Sequence, residues 1–239
     1  MSAIATSRAA PPNRVPPLQN GDRLTRAEFE RRYAAMPPDV KAELIEGVVY
    51  LMSSPVSHRG HGRQHLAVSF WIGNYLMATP GVDGGDSSTL RLDLDNEPQP
   101  DAFLRIADGC GGRSRLEADG YLSGSPELVI EVGHSSVSYD LHAKLNAYRR
   151  NGVQEYVVWR VEDQAIDWFV LREGQYERLA PGDDGIVRSE VLPGLWLDAA
   201  AMLRGDLGAV AGAVARGAAT PEHKRLIEHL AQRAADPTR

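Results

Sequence analysis

Glu131 lies inside the most apolar stretch of the chain, Pro126 to Gly133 (PELVIEVG). An ionised carboxylate left unpaired in such a strand costs several kcal/mol, so it needs a partner. Asp101 follows a proline at the start of another short strand, Gln99 to Ile106. Two carboxylates on neighbouring strands make an oxygen-rich site suited to Mg²⁺, which takes one or two carboxylates and fills its other positions with water and phosphate. Pairing of Glu131 with an arginine, or placement at a sheet edge in water, would account for it without any chemistry. Lys144 stands one turn after Asp140 and one turn before Tyr148. Either it makes an exposed ion pair with Asp140, worth a few tenths of a kcal/mol, or it turns toward the carboxylates. In the second case its ammonium could stabilise charge on a phosphate or orient an attacking water. No acidic residue occurs from 141 through 154, so Lys144, Arg149 and Arg150 make that helix end locally positive.

The elements that must hold these residues can be read from periodicity and punctuation. Residues 1–20 are rich in Pro, Ala and Ser without a pattern and predict a disordered leader ending by Gly21. Thr25 and Glu28 form a capping-box pair opening a helix that Pro37-Pro38 stops near Met36. ELIEGVVYLM at 43–52 predicts two short strands about Gly47. A second helix is expected from Ser57 to Met77, with Leu66, Phe70, Gly73 and Met77 as its apolar stripe. Residues 88–95 alternate strictly and predict a half-buried strand, and 107–125 predict a loop. The apolar run at 126–133 has the character of a central strand. A helix over 138–151 ends at Asn151-Gly152, and strands follow at 155–161, 165–171 and 175–179, the first two joined by a hairpin turn. Thr220 and Pro221 open a last helix carrying Leu226, Ile227, Leu230 and Ala234. The expected organisation is therefore one α/β or α+β domain over 22–200, followed by an Ala-rich linker and a C-terminal helix over 201–239.

Apolar residues make up 43% and charged residues 24% of the 239, near the globular averages of about 45–50% and 25%. A wholly disordered chain, a fibre and a coiled coil are excluded. No run approaches the roughly 18 apolar residues of a membrane span, and the N-terminal residues lack the apolar core of a secretory signal. A lone cysteine, Cys110, cannot form an intrachain disulfide, which fits a cytoplasmic protein. The net charge of −6 argues against a dedicated nucleic-acid binder. His58, His61 and His65 could share one helical face, but a closed zinc site needs four ligands and the sequence offers no second cluster nearby, so His61 and His65 read as solvated. GVDGG at 81–85 has no following Lys-Ser/Thr and reads as a loop rather than a phosphate cradle. Cys110 has no evident histidine partner, and the serines do not form Gly-x-Ser-x-Gly.

Several of these residues also occur in an order that carries a resemblance. ELIEG at 43–47, Met52-Ser53 with Pro55 and His58, Gln99-Pro100-Asp101, LVIEV at 128–132, Ser135-Ser136, Asp140, Lys144, Tyr148, Gly152 to Tyr156 and Leu192 to Leu195 together resemble the Uma-two family of restriction-endonuclease-like bacterial proteins. The resemblance spans about 40–200. It implies the PD-(D/E)XK nuclease fold, a mixed central sheet flanked by helices, here with a C-terminal helical tail. It also implies a metal-dependent site for DNA phosphodiester hydrolysis, with Asp101 and Glu131 as the acidic ligands of Mg²⁺ (or Mn²⁺) and the Val132 carbonyl as a third. Glu43 or Glu46 would add an acidic residue from near the first helix, and His58, Glu46 and Tyr148 would be substrate contacts. For Tyr148 a place as a core aromatic is the simpler reading. One departure stands out: the lysine usually lies two residues after the second acid, where this chain has Gly133, so Lys144 must supply the amine from the next helix. The expectation is a cytoplasmic Mg²⁺-dependent endonuclease acting on DNA, a homodimer because cutting two strands is simplest with two-fold symmetry, without a membrane partner or organic cofactor. The competing expectation is a non-catalytic nucleic-acid or protein binding module on the same fold, which the acidic charge favours.

Overall fold

A computed structural model describes residues 15–52, 61–134 and 136–236. Helix α1 (Arg26–Tyr33) leads into a hairpin of β1 (Lys41–Ile45) and β2 (Val48–Met52). The hairpin turns at Glu46-Gly47, both with positive φ (53° and 71°), as a tight two-residue connection requires. Helix α2 (Arg63–Ala78) precedes β3 (Val82–Asp86), β4 (Leu90–Arg91), β5 (Ala102–Ile106), β6 (Arg115–Leu116), β7 (Leu122–Ser123) and β8 (Leu128–Gly133). A helical segment follows, made of α3 (Val137–Tyr139), a π turn over Asp140–Lys144, and α4 (Leu145–Arg150). The chain then runs through β9 (Glu155–Arg160), β10 (Ala165–Arg172), β11 (Gln175–Arg178), β12 (Ile186–Arg188), β13 (Trp196–Asp198), α5 (Ala199–Arg204), α6 (Leu207–Ala218) and α7 (Pro221–Ala235).

The central sheet has the order β11-β10-β9-β8-β5-β3, with β8 and β9 parallel and the other pairs antiparallel. It is the expected mixed sheet flanked by helices. Strand β8 is buried along its whole length, as its continuous apolar run requires. Alternation sends Leu128, Ile130 and Val132 into the cluster with α2 and α6, and Val129 into the cluster that holds Tyr148 of α4. Glu131 has the parity of Val129 and so belongs to the α4 side. In β1, Ala42 and Leu44 pack with Phe29 of α1, which leaves Glu43 on the opposite face of the hairpin.

Several expectations are corrected. The buried face of α2 is Ala67, Val68, Trp71, Ile72 and Tyr75, whereas Leu66, Phe70 and Met77 are 67%, 37% and 79% exposed. The aromatic face wins because it offers larger area and also polar anchors: Trp71 Nε1 donates to the Trp196 carbonyl (2.9 Å) and the Tyr75 hydroxyl to that of Pro193 (3.1 Å). The strand expected at 88–95 shrinks to β4, because Asp93 accepts from the Asp95 amide and the Asn96 side chain and turns the chain there. Residues 82–86 are a sheet edge rather than a loop. Their glycines are needed for close packing, since a Cβ at Gly84 or Gly85 would lie 2.8 Å from the Phe103 carbonyl or ring. The capping box does not form: Thr25 makes no side-chain cap and Glu28 pairs with Arg31 and Arg32. Leu18, grouped by composition with the leader, is buried with Phe29 and Val49. The Ala-rich stretch is no linker, because α6 seats Val210 and Val214 in the main core. Small side chains let it approach α2 and β13 closely, and this hid its pattern. The tail helix does begin as read, with Thr220 capping the His223 amide.

The β1–β2 hairpin is tied to the body by a bridge in which Leu44 and Glu97 exchange backbone hydrogen bonds. The Glu97 side chain is buried beside Glu30, and burial first, then that neighbour, push its carboxyl up to about 8. The folded state therefore retains a proton that the unfolded chain releases near the ordinary glutamate value of about 4.3. The contribution of this proton is complete below that value and is lost as pH rises through about 8. Urea denaturation from pH 5 to 9 should show a falling midpoint that Glu97→Gln flattens, and an unchanged slope in the variant would contradict the assignment.

Candidate active site

Three separate pieces of chain converge on Lys144. Its ammonium, only 5% exposed, lies 2.9 Å from Glu131 Oε1 and 2.9 Å from Glu43 Oε1. The Tyr148 hydroxyl donates to the same Glu131 oxygen at 2.8 Å, and the Gln99 amide donates to Glu43 Oε1 at 2.6 Å. Lys144 and Tyr148 reach one oxygen because they stand four residues apart on one helical face. The π turn ending at Lys144 sets that face, and such turns are commonly found at functional sites. Asp140, in the same turn, is buried and accepts from Ser136 Oγ at 2.7 Å. The exposed Asp140–Lys144 pair is therefore not the arrangement found, and Lys144 turns inward to the glutamates.

Asp101 stands just before β5 and closes the other side. Its Oδ2 accepts the Val132 amide at 2.6 Å, at a point on β8 beyond the residues paired with β5. Its Oδ1 lies 3.1 Å from Nε2 of His61, and its backbone carbonyl accepts from Nε2 of His65 at 2.9 Å. The Val132 backbone beside the His61 ring also favours its charged form. The hydrogen bond to Asp101 leads these effects, and together they outweigh burial and hold the imidazole above its ordinary value. His61 and His65 are thus engaged with Asp101 rather than solvated.

The charge balance is uneven. Glu43, Glu131, Asp101 and Asp140 are four carboxylates around one ammonium and one imidazole. Burial and then the carboxylates of Asp140, Asp101 and Glu43 push Glu131 well above the usual range, against the pull of Lys144. Burial alone would lower Lys144, yet Glu131, Glu43 and Asp140 outweigh it and keep the ammonium charged. Burial likewise raises Asp140 to about 6, against Lys144 and Ser136. An excess of buried carboxylate over cation is the condition that a divalent ion relieves, and hard oxygens are the donors Mg²⁺ takes. With the Val132 amide on Asp101 Oδ2, and Lys144 and Tyr148 on Glu131 Oε1, Glu131 Oε2 is left open for such an ion, and Asp101 Oδ1 would serve it once the His61 ring turns away.

Glu46 does not join this cluster; it sits in the hairpin turn and pairs with Arg150. That pair also consumes part of the positive charge expected at the helix end, and Arg149 donates to the Gly174 carbonyl. His58 lies outside the described residues, as does Ser135. Gly133, where the sequence departs from the usual lysine position, has no space for a side chain: a Cβ there would lie 2.7 Å from Asp140 Oδ2 and 3.0 Å from Val137. Val137 at the start of α3 packs directly on it, so the amine has to come from elsewhere. Sequence reasoning missed Asp140 and Gln99 as parts of the cluster and discounted His61 and His65. The four-residue spacing of those histidines was the available signal for them.

The model of the Uma2 family, described as "Putative restriction endonuclease", matches residues 26–200. No protein of curated function matches. Among solved structures, the chain is similar to one from Anabaena variabilis described as a "putative nuclease belonging to DUF820", with 15% identity over 64% of this chain and 88% of that chain and a TM-score of 0.48.

Proposed function

The chain belongs to the Uma2 family of restriction-endonuclease-like proteins, and from that premise we propose that it is a divalent-metal-dependent endonuclease hydrolysing DNA phosphodiester bonds. The observation that carries this reading is Glu131: a carboxylate in the central strand, sharing one oxygen with Lys144 and Tyr148, beside Asp101. A structural ion pair would need one acid; here the carboxylates of Glu131, Glu43 and Asp140 all act on a single lysine. Asp101 and Glu131 would hold Mg²⁺, or Mn²⁺ in its place, with the Val132 carbonyl beside them. The bound ion supplies a Lewis acid for the phosphoryl oxygen and a template for the attacking water.

The protein's own residues do the rest. Lys144 keeps its proton against Glu43 and Glu131, so it is a fixed positive charge and not a base. It offsets negative charge that develops on the phosphoryl group and holds Glu131 in one rotamer. Glu43 and Tyr148 are positioning residues, fixing the lysine and the Glu131 carboxylate respectively. Glu46 and His58 are assigned no step. The test is cleavage of supercoiled plasmid and single-stranded DNA with Mg²⁺ or Mn²⁺ at low salt, where phosphate contacts are strongest. Nicking is expected. A folded protein that binds metal without cutting DNA would instead be a non-catalytic binding module, the reading that the charge of −6 favours.

We also place the protein in the cytoplasm, in keeping with its lone cysteine and with a DNA substrate; among the described residues no helix is long and apolar enough to cross a membrane. A homodimer is proposed, with the exposed Leu66, Phe70 and Met77 stripe of α2 as its contact. Sedimentation should give a dimer that Phe70→Glu with Met77→Glu converts to monomer, and an unchanged sedimentation coefficient would reject that face.

A further inference from the structure

The histidines of α2 and the turn before it are not used by the reaction proposed above. His61 and His65 stand one turn apart, with ring centroids 5.5 Å from each other and planes tilted by 31°. Asp101 approaches them from a different part of the chain, and one ligand atom from each of the three residues lies within 4.8 Å of the others. All three are half-buried, so the cluster is neither sealed nor freely solvated. Two imidazoles and a carboxylate are the donors of catalytic zinc sites, which keep a further position open.

We propose that His61, His65 and Asp101 chelate a borderline divalent ion of the Zn²⁺, Co²⁺ and Ni²⁺ class in preference to Mg²⁺. Imidazole nitrogen selects those ions, whereas Mg²⁺ favours oxygen alone. Ligand atoms around tetrahedral zinc lie about 3.3 Å apart for bonds of about 2.0–2.1 Å, so side-chain rotations close the cluster without moving the backbone. His61 already engages Asp101 Oδ1, an oxygen on which a cation would sit. Nitrogen ligands therefore meet the proposed Mg²⁺ oxygens at Asp101. For this sharing, though not for the chelation itself, the inference rests on the nuclease reading.

Untagged protein titrated with Co²⁺ tests this directly, because four- or five-coordinate Co²⁺ in such a site absorbs visible light far more strongly than the hydrated ion. The expected result is a saturable spectrum at one ion per chain, displaced by equimolar Zn²⁺ but not by a thousandfold excess of Mg²⁺. His61→Ala or His65→Ala should weaken Co²⁺ binding at least tenfold while melting near wild type, and Glu131→Gln should leave the spectrum in place. Absence of the spectrum, its survival in both histidine variants, or easy displacement by Mg²⁺ would overturn the proposal. The two readings fail separately: Co²⁺ bound through the histidines without DNA cleavage under any ion sinks the nuclease and keeps this site. Cleavage with Mg²⁺ but no histidine-dependent Co²⁺ binding does the reverse.

Discussion

Lys144→Ala should lower folding stability by about 3–5 kcal/mol, the usual cost of stripping one partner from a buried ion pair. The substitution leaves the Glu43 and Glu131 carboxylates, 2% and 5% exposed, without their shared ammonium. In a thermal melt this corresponds to a fall on the order of 10 °C for a domain of this size. The direction is fixed by the surroundings, since Asp140 and Asp101 only add to the repulsion. Combining Lys144→Met with Glu43→Gln and Glu131→Gln should restore much of the loss, because removing the ammonium together with both of its carboxylates leaves no unpaired buried charge from this group. Urea denaturation of the two variants decides the matter. A loss below about 1 kcal/mol for Lys144→Ala would mean that the lysine is not held as described.

Glu131→Gln should behave in the opposite way. The amide keeps the shape of the side chain and still accepts from Tyr148, and Lys144 retains Glu43. Removing one of several crowded carboxylates also relieves repulsion, so the metal-free protein should melt close to wild type. Cleavage should nevertheless fall on the order of 10³-fold, because the several kcal/mol of charge stabilisation supplied by a bound ion depend on its carboxylate ligands. Single-turnover plasmid cleavage at saturating enzyme measures this. A variant as active as wild type would remove Glu131 from the site. Stability retained with activity lost, set beside Lys144→Ala, separates a residue that serves the chemistry from one that serves both.

How much of this could be read beforehand depended on the kind of signal each residue carried. Glu131 was legible because one carboxylate interrupts LVIEV, and burial of that strand follows from its composition. The hairpin at Gly47, the strands at 155–178 and the Thr220-Pro221 helix start are local patterns, and local physics built them. The buried face of α2 is not legible in the sequence because both its faces are apolar, and the choice between them is made by distant partners, the carbonyls of Pro193 and Trp196. The edge strand at 82–86 was hidden by glycines whose purpose is contact with Phe103, a residue on another strand. The same holds at the site. Asp101, Glu131 and Lys144 can be singled out one by one, and Glu43 only as an alternative to Glu46, but the sharing of Glu131 Oε1 by Lys144 and Tyr148 depends on the register of β8 and the π turn, which spacing does not encode. His61 and His65 read as solvated because the sequence places no ligating residue beside them, whereas the fold brings Asp101 to both.

The most direct test of the account is Mg²⁺-dependent nicking of supercoiled plasmid at low salt by wild type and by Asp101→Asn, each shown to be folded. Asparagine can still accept the Val132 amide that Asp101 Oδ2 receives at 2.6 Å, so the fold should persist. Nicking by wild type should require the divalent ion, and the variant should show none. Nicking that continues at the wild-type rate with Asp101→Asn, or that needs no metal, would contradict it.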